Sequence, residues 1–416
     1  MHPTVTFPPW LRALHHRPLR MFFTGQAVSV TGTWMQSLAM GWLVYRVTGS
    51  ARMLGTVAFL SQAPAFFLGA WGGSLADRLD RRRMLLTTQV VCCLQASALA
   101  AATFADAVTP PLLLALALLM GLANAFEIPA RHALLSDIAG TDTPNAVAIN
   151  SSVVNGARVV GPSLGGYVVA LLGERWCFAL NALSYGGVLW ALARLQVPAR
   201  LVEPSPGGLV HLRDGFRLAF GHPLIRAMLW LVTVTSFCAL PYTSLMPVVV
   251  RDVMHGDATL LGRLLATAGA GSLLAALLLL RARITGMARR VALGVTLLSA
   301  GLLGASASRE VALTQAALFL VGFGFITAMA GTVTALQGLV APGYRGRVIG
   351  LFTMLFAGVT PFGALLMGAL AERWPVQRVL GVGAAVALVA SALFHAALPG
   401  LRRRTLEAQP ELAELP

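Results

Sequence analysis

Two charged side chains lie deep inside apolar runs, where charge is costly. Glu127 sits in "LLLALALLMGLANAFEIPAR" and Arg158 in "NSSVVNGARVVGPSLGG". Counted from the ends of those runs, Glu127 is about ten residues in and Arg158 about twelve, or ~15 Å and ~18 Å at ~1.5 Å per helical residue. Both depths approach the middle of a hydrocarbon layer ~30 Å thick. A lone charge there costs ~3 kcal/mol or more. Opposite charges on adjacent antiparallel helices can pair. Two chemistries follow. One is a static ion pair that fixes two helices. The other is a carboxyl that exchanges a proton for substrate while Arg158 alternates between Glu127 and an anionic ligand group. Pro129, just beyond Glu127, loosens a helix for such motion. Asn124 and Arg131 flank Glu127 and complete the set.

A second candidate feature is a polar stripe. Gln26, Ser29, Thr33, Gln36 or Ser37, and Met40 recur every three to four residues, which places them on one side of a helix. In lipid such a stripe turns inward, either to line a cavity or to hydrogen-bond a neighbouring helix. Trp230, Thr233, Ser236 and Ser244 repeat the pattern later in the chain. Trp34, Trp42 and Trp230 offer aromatic walls or an interface belt. His132 stands alone beside Arg131. There is no H-E-x-x-H, no Walker A and no G-x-S-x-G sequence. Without a nucleotide motif, energy must come from an ion gradient, for which protons are the natural choice. Cys92, Cys93, Cys177 and Cys238 show no C-x-x-C spacing and read as small apolar side chains. No cofactor and no metal are expected.

The elements that position these residues follow from composition. Of 416 residues 57% are hydrophobic and 11% charged, against ~25% charged in ordinary soluble domains. The net charge of +15 does not indicate a nucleic-acid binder, because the Arg residues fall between apolar spans instead of forming a basic face. Twelve apolar runs are long enough to span a bilayer: roughly 20–46, 52–76, 84–106, 110–134, 146–172, 175–195, 223–250, 259–281, 290–307, 311–338, 347–371 and 375–398. Residues 196–222 read as a cytoplasmic linker with a short amphipathic stretch, "HLRDGFRLAF". This divides the chain into a six-helix bundle over 1–195, the linker, and a second bundle over 223–416 with its tail. Of the 31 basic residues, all Arg, 22 fall in one set of loops, which places both termini in the cytoplasm. Residues 1–18 lack the compact apolar run of a signal peptide.

The halves resemble each other. "GPSLGGYVVALLGERW" in the fifth span matches "TPFGALLMGALAERW" in the eleventh, with Pro162 on Pro361 and Trp176 on Trp374. An even number of spans per half makes the repeats parallel. Between spans two and three lies "GGSLADRLDRRRML". Its Gly73, Asp77, Arg78, Arg81 and Arg82 resemble the signature loop of the major facilitator superfamily, with Asp80 where the family pattern has its second Gly. Asp tolerates left-handed turn geometry, so the turn survives.

That resemblance implies an all-α membrane protein of twelve transmembrane helices in two pseudo-symmetric six-helix bundles. It also implies that Asp77 meets the N-terminal dipole of helix eleven, near Gly346 and Arg347, as a latch in the outward-open state. The sequence "GPSLGG" matches the G-P-x-x-G-G core of antiporter members: Gly161, Pro162, Gly165 and Gly166. Ala157 replaces the preceding Gly of the longer pattern. The stretch from Phe126 to Gly166 resembles the branch of enterobactin-type siderophore exporters and macrolide efflux proteins. The reading is a proton-coupled exporter of an amphipathic small molecule, a siderophore or a drug. It would act as a monomer in the bacterial inner membrane, with the substrate, protons and the lipid bilayer as partners and no nucleic acid. An uptake carrier on the same scaffold is the alternative, and a polytopic enzyme or sensor the remote one.

Overall fold

The computed structural model describes residues 9–195, 216–279 and 286–408; the side chain of Asp77 lies outside the described residues. Among these residues there are no strands and there are twelve long helices. In the first half they are α1 (Arg17–Thr48), α2 (Ala51–Arg78), α3 (Arg81–Phe104), α4 (Pro110–Ala139), α5 (Thr143–Leu172) and α6 (Glu174–Arg194). In the second half they are α7 (Pro223–Cys238), α8 (Ala258–Leu279), α9 (Met287–Ala307), α10 (Val311–Leu339), α11 (Arg345–Ala371) and α12 (Val376–Ala408). Beyond Pro241, α7 resumes over Tyr242–Val248 and ends in a π-helical turn, Val249–Val253.

The helix borders have local causes. Proline occupies the first turn of α1, α4, α5 and α7, where its missing N–H has no partner to lose. Gly49 ends α1 at φ 60°. Gly173, at φ 89°, separates α5 from α6. Ten apolar stretches are long enough to cross a membrane. They contain eleven of the twelve helices, because Pro110–Leu172 holds both α4 and α5. The exception is α1. Its apolar run is interrupted by the polar stripe, much of which is buried within the protein.

The packing repeats as the sequence does. In the first half α1 packs on α5 and α6, and α3 packs on α4 and α6. In the second, α7 packs on α11 and α12, and α9 on α10 and α12. Each pairing is the other moved by six helices. The repeat also extends ahead of each bundle. Ala13, in the 3-10 helix Pro9–His15, and Ala219, in the helical stretch before α7, are both fully buried, each in the core of its own bundle.

The chain forms two compact units. One comprises Met1–Gly49, Leu60–Ser205 and Asp257–Gly262. Its core is built on Phe22, Leu85, Leu134, Leu135 and Leu192. The other comprises Ser50–Phe59, Pro206–Gly256 and Arg263–Pro416, with Ile225, Met228, Val291, Val295 and Leu351 at its core. The repeated glutamates take different partners. In the first unit Glu174 accepts from Arg46 Nε at 2.8 Å. In the second, Glu372 accepts from the Ser50 hydroxyl at 3.0 Å and the Arg52 amide at 3.1 Å.

Candidate functional site

Glu127 is 6% exposed, on the face of α4 that packs inward. Its helix runs on to Ala139, so the carboxylate lies twelve residues from that end, ~18 Å along a straight helix. Arg158 lies fifteen residues beyond Thr143, the start of α5, or ~22 Å. Both helices reach further than the apolar runs suggested, and Glu127 and Arg158 do not pair with each other among the described residues. Glu127 takes its ion-pair partner from its own helix. Arg131 Nη2 donates to Glu127 Oε2 at 3.3 Å, and both side chains are largely buried. The spacing of four residues stacks them on one face. From α3, Gln89 Nε2 donates to Glu127 Oε1 at 3.1 Å. The guanidinium of Arg158 instead lies over the Trp34 ring of α1, 5.1 Å from its centroid, which is cation–π range. Asn124 is half-buried one turn before Glu127.

The polar stripe of α1 has separate fates along its length. Gln36 is 5% exposed, and both ends of its amide are engaged. Its Nε2 donates to Gln95 Oε1 at 2.9 Å, and Asn181 Nδ2 donates to its Oε1 at 2.8 Å. Gln95 in turn donates to the Leu116 carbonyl at 3.3 Å. One amide chain thus joins α1, α3, α4 and α6, and Gln36 serves as interhelical glue. Thr33 donates to the Ser29 carbonyl at 2.9 Å and lies 3.4 Å from the Tyr185 hydroxyl of α6. Gln26 is 2% exposed, buried at the same helix. Gln89, Gln95 and Asn181 are absent from the sequence-derived set. The signal was present in "QVVCCLQ", where Gln89, Cys92 and Gln95 recur every three residues.

The charged turn is built as a set of caps. Asp80 has φ −63° and ψ 108° and accepts from the Arg83 amide at 3.1 Å. It is the N-cap of α3 and does not adopt the left-handed geometry expected from the missing Gly. Arg81 donates to the Ala76 carbonyl at 3.0 Å, to the Ala133 carbonyl at 3.3 Å and to Asp137 at 2.7 Å. It therefore ties the ends of α2, α3 and α4. Arg82 donates to the Leu192 and Ala193 carbonyls, both at 2.6 Å, and so caps α6. Arg78 is exposed and Gly73 half-buried. One acid facing Arg81 is Asp137, at the end of α4, which sequence reasoning passed over. Nearby, Arg12 Nε donates to Asp142 at 2.7 Å and His16 lies 3.2 Å from it, docking the N-terminal 3-10 helix on the turn before α5.

The motif "GPSLGG" is a packing seam. A Cβ at Gly161 would stand 2.5 Å from Trp34 Cβ, and one at Gly165 3.1 Å from Met35, so α5 lies hard against α1. Gly166 meets the other side, where a Cβ would lie 2.9 Å from the Cα of Gly262. Pro162 lies inside α5, which continues unbroken through it.

Membrane-spanning helices in two repeated sets, a charged turn that caps three helix ends and a buried carboxylate held inside one bundle define a major facilitator transporter. Residues 9–414 match the transmembrane secretion effector family, and the chain belongs to it. It is 25% identical over 369 residues to the staphyloferrin A transporter of Staphylococcus aureus, covering 87% of this chain and 92% of that one. It is 27% identical over 435 residues to the multidrug efflux pump Tap of Mycobacterium tuberculosis, covering 97% and 98%. Among solved structures, a bacterial homologue of the human lysosomal transporter Spinster superposes with a TM-score of 0.71 at 13% identity, over 96% of this chain and 99% of that one. The protein is accordingly a multi-pass membrane transporter and not an enzyme.

Proposed function

We propose that the protein exports an amphipathic small molecule of siderophore or drug type by alternating access, in exchange for protons, with Glu127 as the proton-exchanging group. The observation that carries this is the carboxylate itself: buried within a helical bundle, far from either helix end, and held among the described residues by Arg131 and the neutral amide of Gln89. Transporters place exchanging groups near this depth. The Arg158–Trp34 stack supplies a cationic and aromatic surface for an anionic, flat ligand group. The similarity to a staphyloferrin A transporter and to a multidrug efflux pump supports the substrate type and the outward direction. The remaining proposals are a bacterial inner-membrane location, both termini in the cytoplasm, and action as a monomer of two bundles, 1–195 and 223–416, joined by a linker. Asp77 acts as the latch of the charged turn.

Glu127→Gln tests the central point. The variant is expected to fold and bind substrate but to lose efflux driven by a pH gradient in inside-out vesicles. If the pair is purely structural, the variant shows lowered thermal stability, partly restored by adding Arg131→Gln, and proton coupling persists. That result overturns the proposal.

A further inference from the structure

Gln89 of α3 is 4% exposed, and its Oε1 atom is buried without a hydrogen-bond partner among the described residues, while Nε2 is engaged by Glu127. A buried, unused amide oxygen costs free energy, and this one belongs to the side chain that touches the carboxylate of interest. We propose that Gln89 is a positioning residue that serves both protonation states of Glu127, by donating through Nε2 to the carboxylate and accepting through Oε1 from the protonated acid. The inference rests on the reading that Glu127 exchanges a proton.

The argument turns on what each neighbour can offer. Arg131 has donors only and no acceptor. It matches the carboxylate, but a carboxyl O–H facing it would meet another donor. Beyond these two groups, Cys92 of α3 and Tyr185 of α6 lie in the same electrostatic neighbourhood among the described residues. Arg158 of α5 is turned to Trp34 of α1. Among the described residues, the Gln89 amide offers an unused buried acceptor on the side chain that already touches Glu127. Rotation about its last torsion, which is broad and two-fold, exchanges Oε1 for Nε2 at the same distance from Glu127. Nothing else need move. The proton arrives from bulk water, resides on a Glu127 oxygen and leaves from it, and the amide is never protonated.

The test is Gln89→Met, which keeps the length of the chain and removes donor and acceptor together. Hydrogen bonds to charged groups exceed those to neutral ones, so the carboxylate loses more than the acid. The pH midpoint of gradient-driven efflux is expected to rise by about one unit. A role in packing alone lowers thermal stability and leaves the midpoint where it was, and that outcome overturns the inference. If Gln89→Met does not fold, the wild-type protein answers instead. Infrared spectra of protein carrying 13C-labelled glutamine should show a buried side-chain amide band that shifts with the Glu127 carboxyl band and is missing from Glu127→Gln. A glutamine signal that ignores pH overturns the inference. If Glu127→Gln keeps gradient-driven efflux, this inference and the function proposed above fall together. If that variant loses it while Gln89→Met keeps the wild-type midpoint, only the role of Gln89 falls.

Discussion

Asp80 shows how a single side chain can replace a motif residue without copying its geometry. Its carboxylate caps α3 from an extended backbone. Loss of an N-cap to Ala costs ~1 kcal/mol, whereas Gly costs a few tenths. Asp80→Ala is therefore expected to lower thermal stability measurably, and Asp80→Gly to leave it near wild type. A left-handed residue would behave otherwise, with Gly stabilising. Asp142 offers a pH-dependent contact. Hydrogen bonds from Arg12, and then from His16, hold its carboxyl below the ordinary carboxylate value. A depressed acid contributes above its unfolded value near ~3.9 and ceases to do so as pH falls through the lower folded one. The N-terminal 3-10 helix should thus stay docked at pH 5 and above and release only in stronger acid. Asp142→Asn should release it at every pH. The readout is exchange of the Ala13 amide, which donates to Asn145 at 2.8 Å. At this scale the sequence exposed Glu127 and Arg158 as charges within apolar helices, the first buried and the second half-buried, but not their partners. Pairing depends on which neighbour each side chain faces, and the length of an apolar run does not report that.

Helices here meet through backbone contact as much as through side chains, and α1 against α5 is the clearest case. A Cβ at Gly161 would press on Trp34 Cβ at 2.5 Å and on the Thr31 carbonyl at 2.8 Å, neither of which can swing aside. Overpacking of this kind costs ~1–3 kcal/mol. Gly161→Ala should lower the melting temperature in detergent, and an unchanged value would mean that the two helices are not in backbone contact. The antiporter-type motif was legible in the sequence, and so was its small-residue logic. Which helix it touches was not, because small residues leave no trace of their neighbours. The polar face of α3 escaped notice for another reason. Hydropathy averages over the face, so Gln89 and Gln95 look like dilution of an apolar run until their spacing is counted.

Twelve helices in two sets were readable from apolar lengths and from the Pro162–Pro361 repeat, and the packing pattern repeats with the same period. Composition alone sufficed for this because a chain with so few charges has no other way to satisfy its surface. Orientation rests on the asymmetry of Arg among the loops. A β-galactosidase reporter fused after Arg404 should be active, and alkaline phosphatase at the same point inactive. The reverse result would invert the topology and place the Arg-rich turn outside the cell. The contacts that divide the molecule do not follow the halves to the residue: Ser50–Phe59 and Asp257–Gly262 each join the unit built mainly from the other half. No periodicity in the sequence marks that exchange, since it depends on where helices lean and not on what they are made of.

The amide chain through Gln36 also sets a timetable. Its partners lie 59 and 145 residues further along the chain. At ~5–20 residues per second of synthesis, Asn181 emerges ~7–30 s after Gln36. During that interval α1 carries an unmatched glutamine at its centre. Released into lipid by itself it would be a poor tenant. The nascent chain must therefore keep α1 beside the insertion machinery, or beside a chaperone, until α3 and then α6 arrive to receive it. Truncated chains ending before Asn181 should leave α1 extractable from the membrane, and chains that include α6 should not.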